Sequence, residues 1–402
     1  MARTAADLKP SYDVVVIGAR AAGAATAMLL ARRGFDVLLV EQGARGADTL
    51  STLALMRGGV LQLSRWGLLD AVRDSGTPPI RTTTFHYNGD PVAIRIKARD
   101  GVDALYAPRR TVLDPLLADA AAAARADVVY GVRCTDLLRD RNGRVRGVVI
   151  EGRDRVPRHI AAGIVIGADG VHSTVARNVA AQPYRTGSHA SAVIYTLVPG
   201  LDADGYHWHY VPGASVGVIP TTGAVLVFTA VPRERFMREL RFDLEASFKK
   251  ILGDAAPDLA EQVRAIPALG RFHGFAGQVG FVRPAWGPGW ALVGDAGYFK
   301  DPLTAHGITD ALRDAGLLAD AVVAGTDAAL ATYQAVRDEL SIGLFDVTDA
   351  IASFDWDMPR LQALHKELSD EMAREVLHLR DHEGSDLALS QNARYDPVER
   401  SA

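Results

Sequence analysis

A glycine-rich turn near the start of the chain has the residue types and spacing of a dinucleotide-binding site. Residues 13–41 read DVVVIGARAAGAATAMLLARRGFDVLLVE, which predicts a buried strand, a turn, an alanine-rich helix and a second strand. In such a unit Gly18 allows the turn and Gly23 lets the helix pack closely. The pyrophosphate lies on the helix N-terminus beside Ala22, and Glu41 binds a ribose hydroxyl. An acid at position 41 indicates an unphosphorylated ribose, as in FAD or NAD.

Arg20 replaces the middle glycine of the G-x-G-x-x-G fingerprint. That position normally lets the backbone approach the pyrophosphate, so a side chain there is a departure from the pattern. Two interpretations follow. Either Arg20 points away from the turn and helps to neutralise phosphate, or the turn belongs to an α/β unit that binds no nucleotide.

Two later segments repeat the arrangement of an apolar strand followed by a glycine and an acid. Residues 164–177, IVIGADGVHSTVAR, run into Asp169, and residues 290–316 run into Gly294 and Asp295 before a proline-containing loop and a helix. Each pair alone is an ordinary turn or helix cap. The three segments in this order and spacing are far more specific than any one of them.

With these three motifs, the chain resembles the FAD-dependent monooxygenases and oxidoreductases of the para-hydroxybenzoate hydroxylase fold. The resemblance extends over roughly residues 12–340. It implies an α/β chain with a Rossmann-like FAD-binding domain of the glutathione reductase and hydroxylase type. An inserted, mostly antiparallel β-sheet domain would bind substrate, and helices would follow at the C-terminus. FAD would bind at the first turn, with NAD(P)H as a transient electron donor.

The resemblance also implies roles for residues outside the first turn. Arg110 matches an arginine that contacts the flavin cofactor. Asp169 matches an element associated with both FAD and the reduced nicotinamide. Gly294 and Asp295 match the pair whose acid hydrogen-bonds the ribityl chain.

The loop and helix after Asp295 would lie beside the flavin ring. Pro302 matches a proline near the place where oxygen reacts, and Gly307 and Ile308 begin a helix whose amides face the flavin pyrimidine. A helix N-terminus stabilises the negative charge of reduced flavin. His306 could protonate or orient a reacting oxygen, because histidine titrates near neutral pH. The alternative is a structural histidine that holds the loop.

The predicted substrate domain contains one conspicuous aromatic strand, residues 206–210 (YHWHY). Alternate residues of a strand share a face, so Trp208 and Tyr210 would lie on one side and His207 and His209 on the other. We assign Trp208 and Tyr210 as candidate catalytic-site residues that meet substrate above the flavin. The alternative is that they belong to the core of the sheet.

The segments interleave along the chain, so the predicted FAD-binding domain is discontinuous. It comprises residues 1–80, 103–185 and 286–335. The substrate domain comprises residues 81–102, which predict a hairpin around Asn88-Gly89, and residues 186–285. Residues 336–402 form a C-terminal helical region.

Composition agrees with an enzyme that acts on small molecules. The chain has 402 residues, of which 48% are hydrophobic and 23% are charged, and its net charge of −4 argues against a nucleic-acid surface. Its single cysteine precludes an intramolecular disulfide. We found neither a signal peptide nor an apolar run of about 18 residues, which predicts a cytoplasmic protein without stable membrane insertion. The oligomeric state stays open.

The sequence therefore predicts an FAD-dependent monooxygenase. It would use NAD(P)H and O₂ to oxygenate a small organic substrate, aromatic or polyketide-like, through a flavin C4a-hydroperoxide. The alternatives are a flavin ene-reductase of the geranylgeranyl reductase type and a non-redox FAD protein. A nicotinamide-only protein and a nucleotide sensor are more distant alternatives. A flavin halogenase is disfavoured, because Lys97 is the only lysine between positions 43 and 110 and the W-x-W-x-I-P motif is missing. Substrate identity, the type of oxygenation and the choice between NADH and NADPH stay open.

Overall fold

The structure, a computed structural model, describes residues 5–49 and 51–382. Its strands in chain order are β1 Ser11–Ile17, β2 Val37–Glu41, β3 Thr82–Tyr87, β4 Asp90–Arg95, β5 Asp127–Tyr130, β6 Arg133–Arg139, β7 Val145–Glu151, β8 Pro157–Gly167, β9 Arg185–Thr186, β10 Ser191–Val198, β11 Tyr206–Val211, β12 Ala214–Thr221, β13 Ala224–Pro232, β14 His273–Phe275, β15 Phe281–Val282, β16 Trp286–Gly287, β17 Trp290–Leu292 and β18 Tyr298–Phe299. Its α-helices are α1 Ala21–Arg32, α2 Arg57–Arg65, α3 Leu69–Asp74, α4 Arg110–Ala123, α5 Thr174–Asn178, α6 Arg233–Arg235, α7 Leu244–Ala255, α8 Pro257–Ala265, α9 Gly307–Ala324, α10 Asp327–Ala352 and α11 Met358–Asp381.

An eight-stranded sheet carries the first turn. Its strand order is β16-β17-β8-β1-β2-β5. The β6–β7 hairpin joins the sheet through β7, which pairs antiparallel with the first half of β8. Neighbours from β17 to β5 pair in parallel, as in a Rossmann-like sheet. Val14, Val15 and Val16 have no exposed surface, which fits a strand covered on both faces. The predicted strand–turn–helix–strand unit is therefore confirmed as β1, α1 and β2.

A second sheet of seven strands has the order β14-β10-β13-β12-β11-β3-β4. All its pairings are antiparallel except that of β11 with β3. The β3–β4 hairpin turns at Asn88 (φ 51°) and Gly89 (φ 96°), the left-handed pair that a two-residue hairpin loop requires. These strands confirm the mostly antiparallel sheet that the sequence predicts.

Long helices close the described part of the chain. Thr326 caps the N-terminus of α10 and Asp357 caps that of α11 through their side chains. The buried face of α11 repeats every three or four residues, at Leu361, Leu364 and Leu368, and it packs against α10 and α2. None of the helices in the described part of the chain is both long and apolar enough to cross a membrane. The predicted tail beyond residue 382 lies outside the described residues.

Candidate functional site

The first turn depends on two glycines that other residues could not replace. Gly18 has φ +103°, and a Cβ atom there would lie 2.4 Å from the carbonyl oxygen of Ala168. A Cβ on Gly23 would lie 1.8 Å from the carbonyl oxygen of Gly18. The backbone of the turn therefore touches both the first turn of α1 and the end of β8. This is the close approach that a dinucleotide-binding turn needs.

Glu41 stands at the end of β2 and holds the same turn. Its Oε2 accepts a hydrogen bond from the backbone N–H of Ala19 at 2.9 Å, and its Oε1 accepts one from Gly43 at 2.7 Å. Each carboxylate oxygen has a further lone pair, so Glu41 can still accept a ribose hydroxyl. The ribose contact itself remains a prediction.

The side chain of Arg20 is exposed and reaches the loop after β2. Its Nη1 donates to Thr49 Oγ1 at 2.7 Å, and its backbone is extended at the N-cap of α1. Its positive charge also acts on Asp295 and Asp114. This arrangement suits the first interpretation, in which the side chain adds positive charge near a phosphate.

The Gly294-Asp295 pair lies directly on the start of α1. Gly294 has φ +61°, and a Cβ atom there would lie 2.8 Å from Cβ of Ala22. The side chain of Asp295 keeps solvent-accessible surface, but the protein packed around it desolvates the carboxylate and so raises its pKa. The positive charges of Lys300, Arg110 and Arg20 partly offset this rise. Residues of the first turn, of the start of α4 and of the Gly294-Asp295 pair thus lie around the Asp295 carboxylate, and we refer to this place as the crevice.

Arg110 enters this site as the first residue of α4. Its Nε and Nη2 donate to Oδ1 of Asp114, one turn later, at 3.0 and 2.9 Å. Both side chains are about nine-tenths buried, so Asp114 fixes the direction of the guanidinium. Burial raises the pKa of Asp114, and Arg110 counteracts that rise.

Asp169 has a clear structural task at the start of α5. It accepts hydrogen bonds from Ser173 Oγ at 2.5 Å and from the backbone N–H of Thr174 at 2.6 Å. Burial raises its pKa. The helix-capping alternative is therefore realised, and a cofactor contact by Asp169 remains a prediction.

The loop from Pro302 to Ile308 leads into an open helix end. Pro302 begins a short 3₁₀ turn, and Asp301 joins this turn to β10 by accepting from the backbone N–H and Oγ of Ser191, both at 2.6 Å. Gly307, the first residue of α9, is exposed and has free space around it, whereas Ile308 is buried. The N-terminus of α9 is therefore exposed at Gly307, the point from which an anionic ligand could approach its amides.

His306 lies behind this helix end and not in the open crevice. Its side chain is 1% exposed, and Nε2 lies 2.7 Å from Glu375 Oε2 on α11. Lys300 contacts Asp310, and Arg313 bonds both Asp310 and Glu375. The sequence reasoning missed this charged group. The sequence contains only a weak signal for this group. Asp310, Arg313 and Asp314 lie about one turn apart on α9, and Glu375 is an acid within the apolar face of α11.

The aromatic strand β11 shows the predicted alternation. Trp208 and Tyr210 are buried, in the core shared with α1, α9 and α11. Tyr210 packs against His365 of α11, with ring centroids 4.7 Å apart, and the hydroxyl of Tyr87 lies 2.7 Å from His365 Nδ1. The aromatic face is thus covered by α11, and contact between it and a substrate remains a prediction.

The opposite face of β11 carries a histidine stack. The rings of His86 and His209 lie parallel with centroids 4.0 Å apart, and His86 Nε2 lies 3.2 Å from His207 Nδ1. Burial, together with the neighbouring His86 and His207, lowers the pKa of His209 from 6.5 to about 3. The pKa of His86 is also lowered by burial, so His86 and His209 are neutral rings at physiological pH.

This stack should make the fold sensitive to acid. Below about pH 6.5 the unfolded chain binds a proton at His209, whereas the folded chain binds it only near pH 3. The free energy of unfolding therefore falls as the pH decreases from about 6.5 to about 3. The loss from this residue should approach about 2 kcal/mol at about pH 5. His209→Phe, which keeps the stacked ring, should flatten the pH dependence measured by urea unfolding. His159→Phe on the exposed surface should not, and an equal slope in all three proteins would contradict the prediction.

Comparisons with known proteins assign this chain to a family. A family model described as an FAD binding domain matches residues 11–346, and the chain belongs to that family. Digeranylgeranylglycerophospholipid reductase 2 of Methanothermobacter thermautotrophicus is 31% identical over 74% of each chain. Menaquinone reductase of Mycolicibacterium smegmatis is 28% identical over 78% of this chain and 76% of that protein.

Solved structures share the fold. PqsL of Pseudomonas aeruginosa, described as a probable FAD-dependent monooxygenase, superposes with a TM-score of 0.74. The two proteins are 23% identical, and the match covers 89% of this chain and the whole of PqsL. The flavin-dependent halogenase CmlS gives the same TM-score at 19% identity, over 96% of this chain and 74% of its own. The protein is thus an FAD-dependent oxidoreductase with the predicted architecture.

Proposed function

We propose that the protein is an FAD-dependent monooxygenase that uses NAD(P)H and O₂ to oxygenate a small organic substrate. This proposal is carried by the position of the aromatic face of β11. Trp208 and Tyr210 on this face are buried, and they belong to the same hydrophobic core as α9, the helix that begins at Gly307. An oxygenating flavin needs a site from which water is excluded, since water destroys the activated oxygen before transfer. An aromatic wall also suits an aromatic or polyketide-like substrate.

The residues present fit FAD. The backbone cradle at Gly18 and Gly23 would hold the pyrophosphate on α1, with Glu41 on the ribose and Arg20 near the phosphates. Arg110, Asp169 and Asp295 would follow along the crevice towards the ribityl chain. Pro302 and the open end of α9 at Gly307 and Ile308 would then meet the flavin ring. FAD supplies the redox chemistry when bound, and the protein supplies placement, electrostatics and exclusion of water.

A second candidate is an ene-reductase that acts on an isoprenoid lipid. It is favoured by the 31% identity to the archaeal lipid reductase. The aromatic strand from Tyr206 to Tyr210 also nearly matches the Y-x-W-x-F-P motif of geranylgeranyl reductases, although Pro212 comes one residue late. Both candidates use the same flavin site and differ in what meets the reduced cofactor.

One experiment separates these functions. The purified protein should be yellow, and a panel of aromatic compounds should include one that speeds NAD(P)H oxidation and gains an oxygen atom from ¹⁸O₂. Anaerobic reduction of a prenyl alkene, with no oxygen incorporation, would replace the monooxygenase by the reductase. A colourless protein that cannot be reconstituted with FAD would refute both.

A matched pair of variants ties that activity to the crevice. Asp295→Ala should lose FAD and NAD(P)H oxidation together, because it removes the acid proposed for the ribityl chain. Asp202→Ala changes an exposed loop acid and should keep both. His306→Ala tests the catalytic role of that histidine. If the variant binds FAD and keeps full turnover, His306 has no catalytic role.

A further inference from the structure

The last described helix, α11, carries a buried carboxylate, Glu375, next to the N-terminus of α9. Glu375 is 1% exposed and lies in the apolar face of α11, between Leu368 and Leu379. This helix lies beyond residues 11–346, which the FAD binding model matches. Burying a carboxylate is costly unless it is paired, so the partners of Glu375 should reveal its purpose.

Each oxygen of Glu375 has a partner on α9 or its N-cap. Oε2 lies 2.7 Å from Nε2 of His306, and Oε1 accepts from Nη1 of Arg313 at 3.2 Å. Arg313 is itself fixed, because its Nε donates to Asp314 at 2.8 Å and its Nη2 donates to Ser341 of α10 at 2.8 Å. The carboxylate is therefore held rigidly between three helices.

These contacts determine the proton position on His306. An ionised carboxylate only accepts hydrogen bonds, so the proton must be on Nε2. Nδ1 is then an acceptor, and it is buried without a hydrogen-bond partner in the described part of the chain. His306 directly precedes Gly307, where the open end of α9 begins. A carboxylate that fixes the tautomer and ring direction of a histidine is a recurring device of active sites.

A metal ion is a poor alternative explanation. His306, Asp310 and Glu375 offer ligand atoms within 4.8 Å of one another. However, Lys300 contacts Asp310, and Arg313 bonds both acids, so cationic side chains already balance the carboxylates. A divalent ion would lie beside these positive groups at a high electrostatic cost.

We propose that Glu375 is a positioning residue of the flavin site: through His306 it fixes the first turn of α9, which makes α11 part of the site. This rests on the proposed function, in which FAD lies at the N-terminus of α9. The charged groups that face His306 are Glu375 from α11, Asp310 and Arg313 from α9, and Lys300 from the preceding loop. Burial lowers the pKa of His306, which keeps the ring neutral. Although burial alone would raise the pKa of Glu375, His306 and Arg313 hold it at about 2.

The test compares Glu375→Gln with Glu367→Gln. Glu367 is exposed on the same helix and pairs with Arg360. In Glu375→Gln one of the two accepting oxygens becomes an NH₂ donor, so the side chain can no longer accept from both His306 and Arg313 in their present positions. FAD binding should weaken about tenfold, the order expected when a contact that orients a ligand-binding group is lost. The substitution should also shift the midpoint potential of bound FAD to more positive values, because removing a nearby negative charge favours the anionic reduced flavin. Glu367→Gln should leave both quantities at their wild-type values.

The outcomes distinguish this inference from the proposed function. A folded Glu375→Gln protein with wild-type FAD affinity and midpoint potential would overturn the inference and leave the flavin function intact. A wild-type protein that binds no FAD would overturn the function first. If Glu375→Gln does not fold, Glu375→Asp is measured in its place. Aspartate keeps the negative charge, but its shorter side chain moves the carboxylate away from His306. Several-fold weaker FAD binding is then expected, and wild-type affinity would refute the inference.

Discussion

We expect a Gly23→Ala variant to purify without FAD. The added Cβ would lie 1.8 Å from the carbonyl oxygen of Gly18 and 2.9 Å from Cβ of Ala168, and the first of these contacts involves backbone that cannot yield locally. Helix α1 must therefore move away from the turn. Its N-terminal amides would then leave the pyrophosphate position, and the FAD dissociation constant should rise by about a hundredfold or more, about 2.7 kcal/mol. Titration of the apoprotein with FAD, followed by flavin fluorescence, measures this change.

Gly253→Ala is the matched control for that substitution. Gly253 also lies inside a helix, α7, but a Cβ atom there would meet nothing within 4 Å. Alanine favours helix over glycine by up to about 1 kcal/mol, so this variant should bind FAD normally and unfold at a slightly higher temperature. Normal FAD binding by Gly23→Ala as well would show that the turn does not hold the cofactor.

The sequence predicted the parts of the fold that depend on local geometry. The β1–α1–β2 unit follows from a continuous apolar run and from glycines at positions where the backbone passes too close for a side chain. The hairpin at Asn88-Gly89 follows from the left-handed conformation that this dipeptide adopts readily. Both signals lie within a few residues, so a single sequence is enough to read them. The alternation along β11 likewise predicted its two faces, although it left open whether the aromatic face meets substrate or belongs to the core of the sheet.

The candidate site was predictable only in part, because its remaining contacts join distant segments. Glu375 meets His306 across 69 positions, and His365 meets Tyr87 across 278. No local pattern encodes such pairs, and a charged residue in an amphipathic helix is usually exposed. The direction of Arg20 was also open, because its contact with Thr49 depends on the loop after β2. The sequence thus indicated the three cofactor motifs but not the charged group of His306, Asp310, Arg313 and Glu375.

An Arg313→Met variant should be strongly destabilised, by about 3–5 kcal/mol. Arg313 has no exposed surface, and its guanidinium bonds Asp310, Asp314 and Glu375. Methionine fills similar space but leaves three buried carboxylates without their central cation, which is the costly way to break a buried ion pair. Urea unfolding at neutral pH measures the loss. The exposed pair Arg360–Glu367 is the control, since Arg360→Met should cost no more than about 1 kcal/mol.

The pH dependence separates the loss of charge pairing from a simple packing defect. Burial already raises the pKa of Asp314 in the intact protein, and the loss of Arg313 should raise it further. The same loss should raise the pKa of Glu375 from the lowered value that it has in the intact protein. A group with a raised pKa in the folded state binds protons there first, so its penalty shrinks as the pH falls. The stability difference between Arg313→Met and wild type should therefore narrow from about pH 8 to about pH 5. A packing defect would give the same difference at every pH, and that result would show that the carboxylates find other partners when Arg313 is absent.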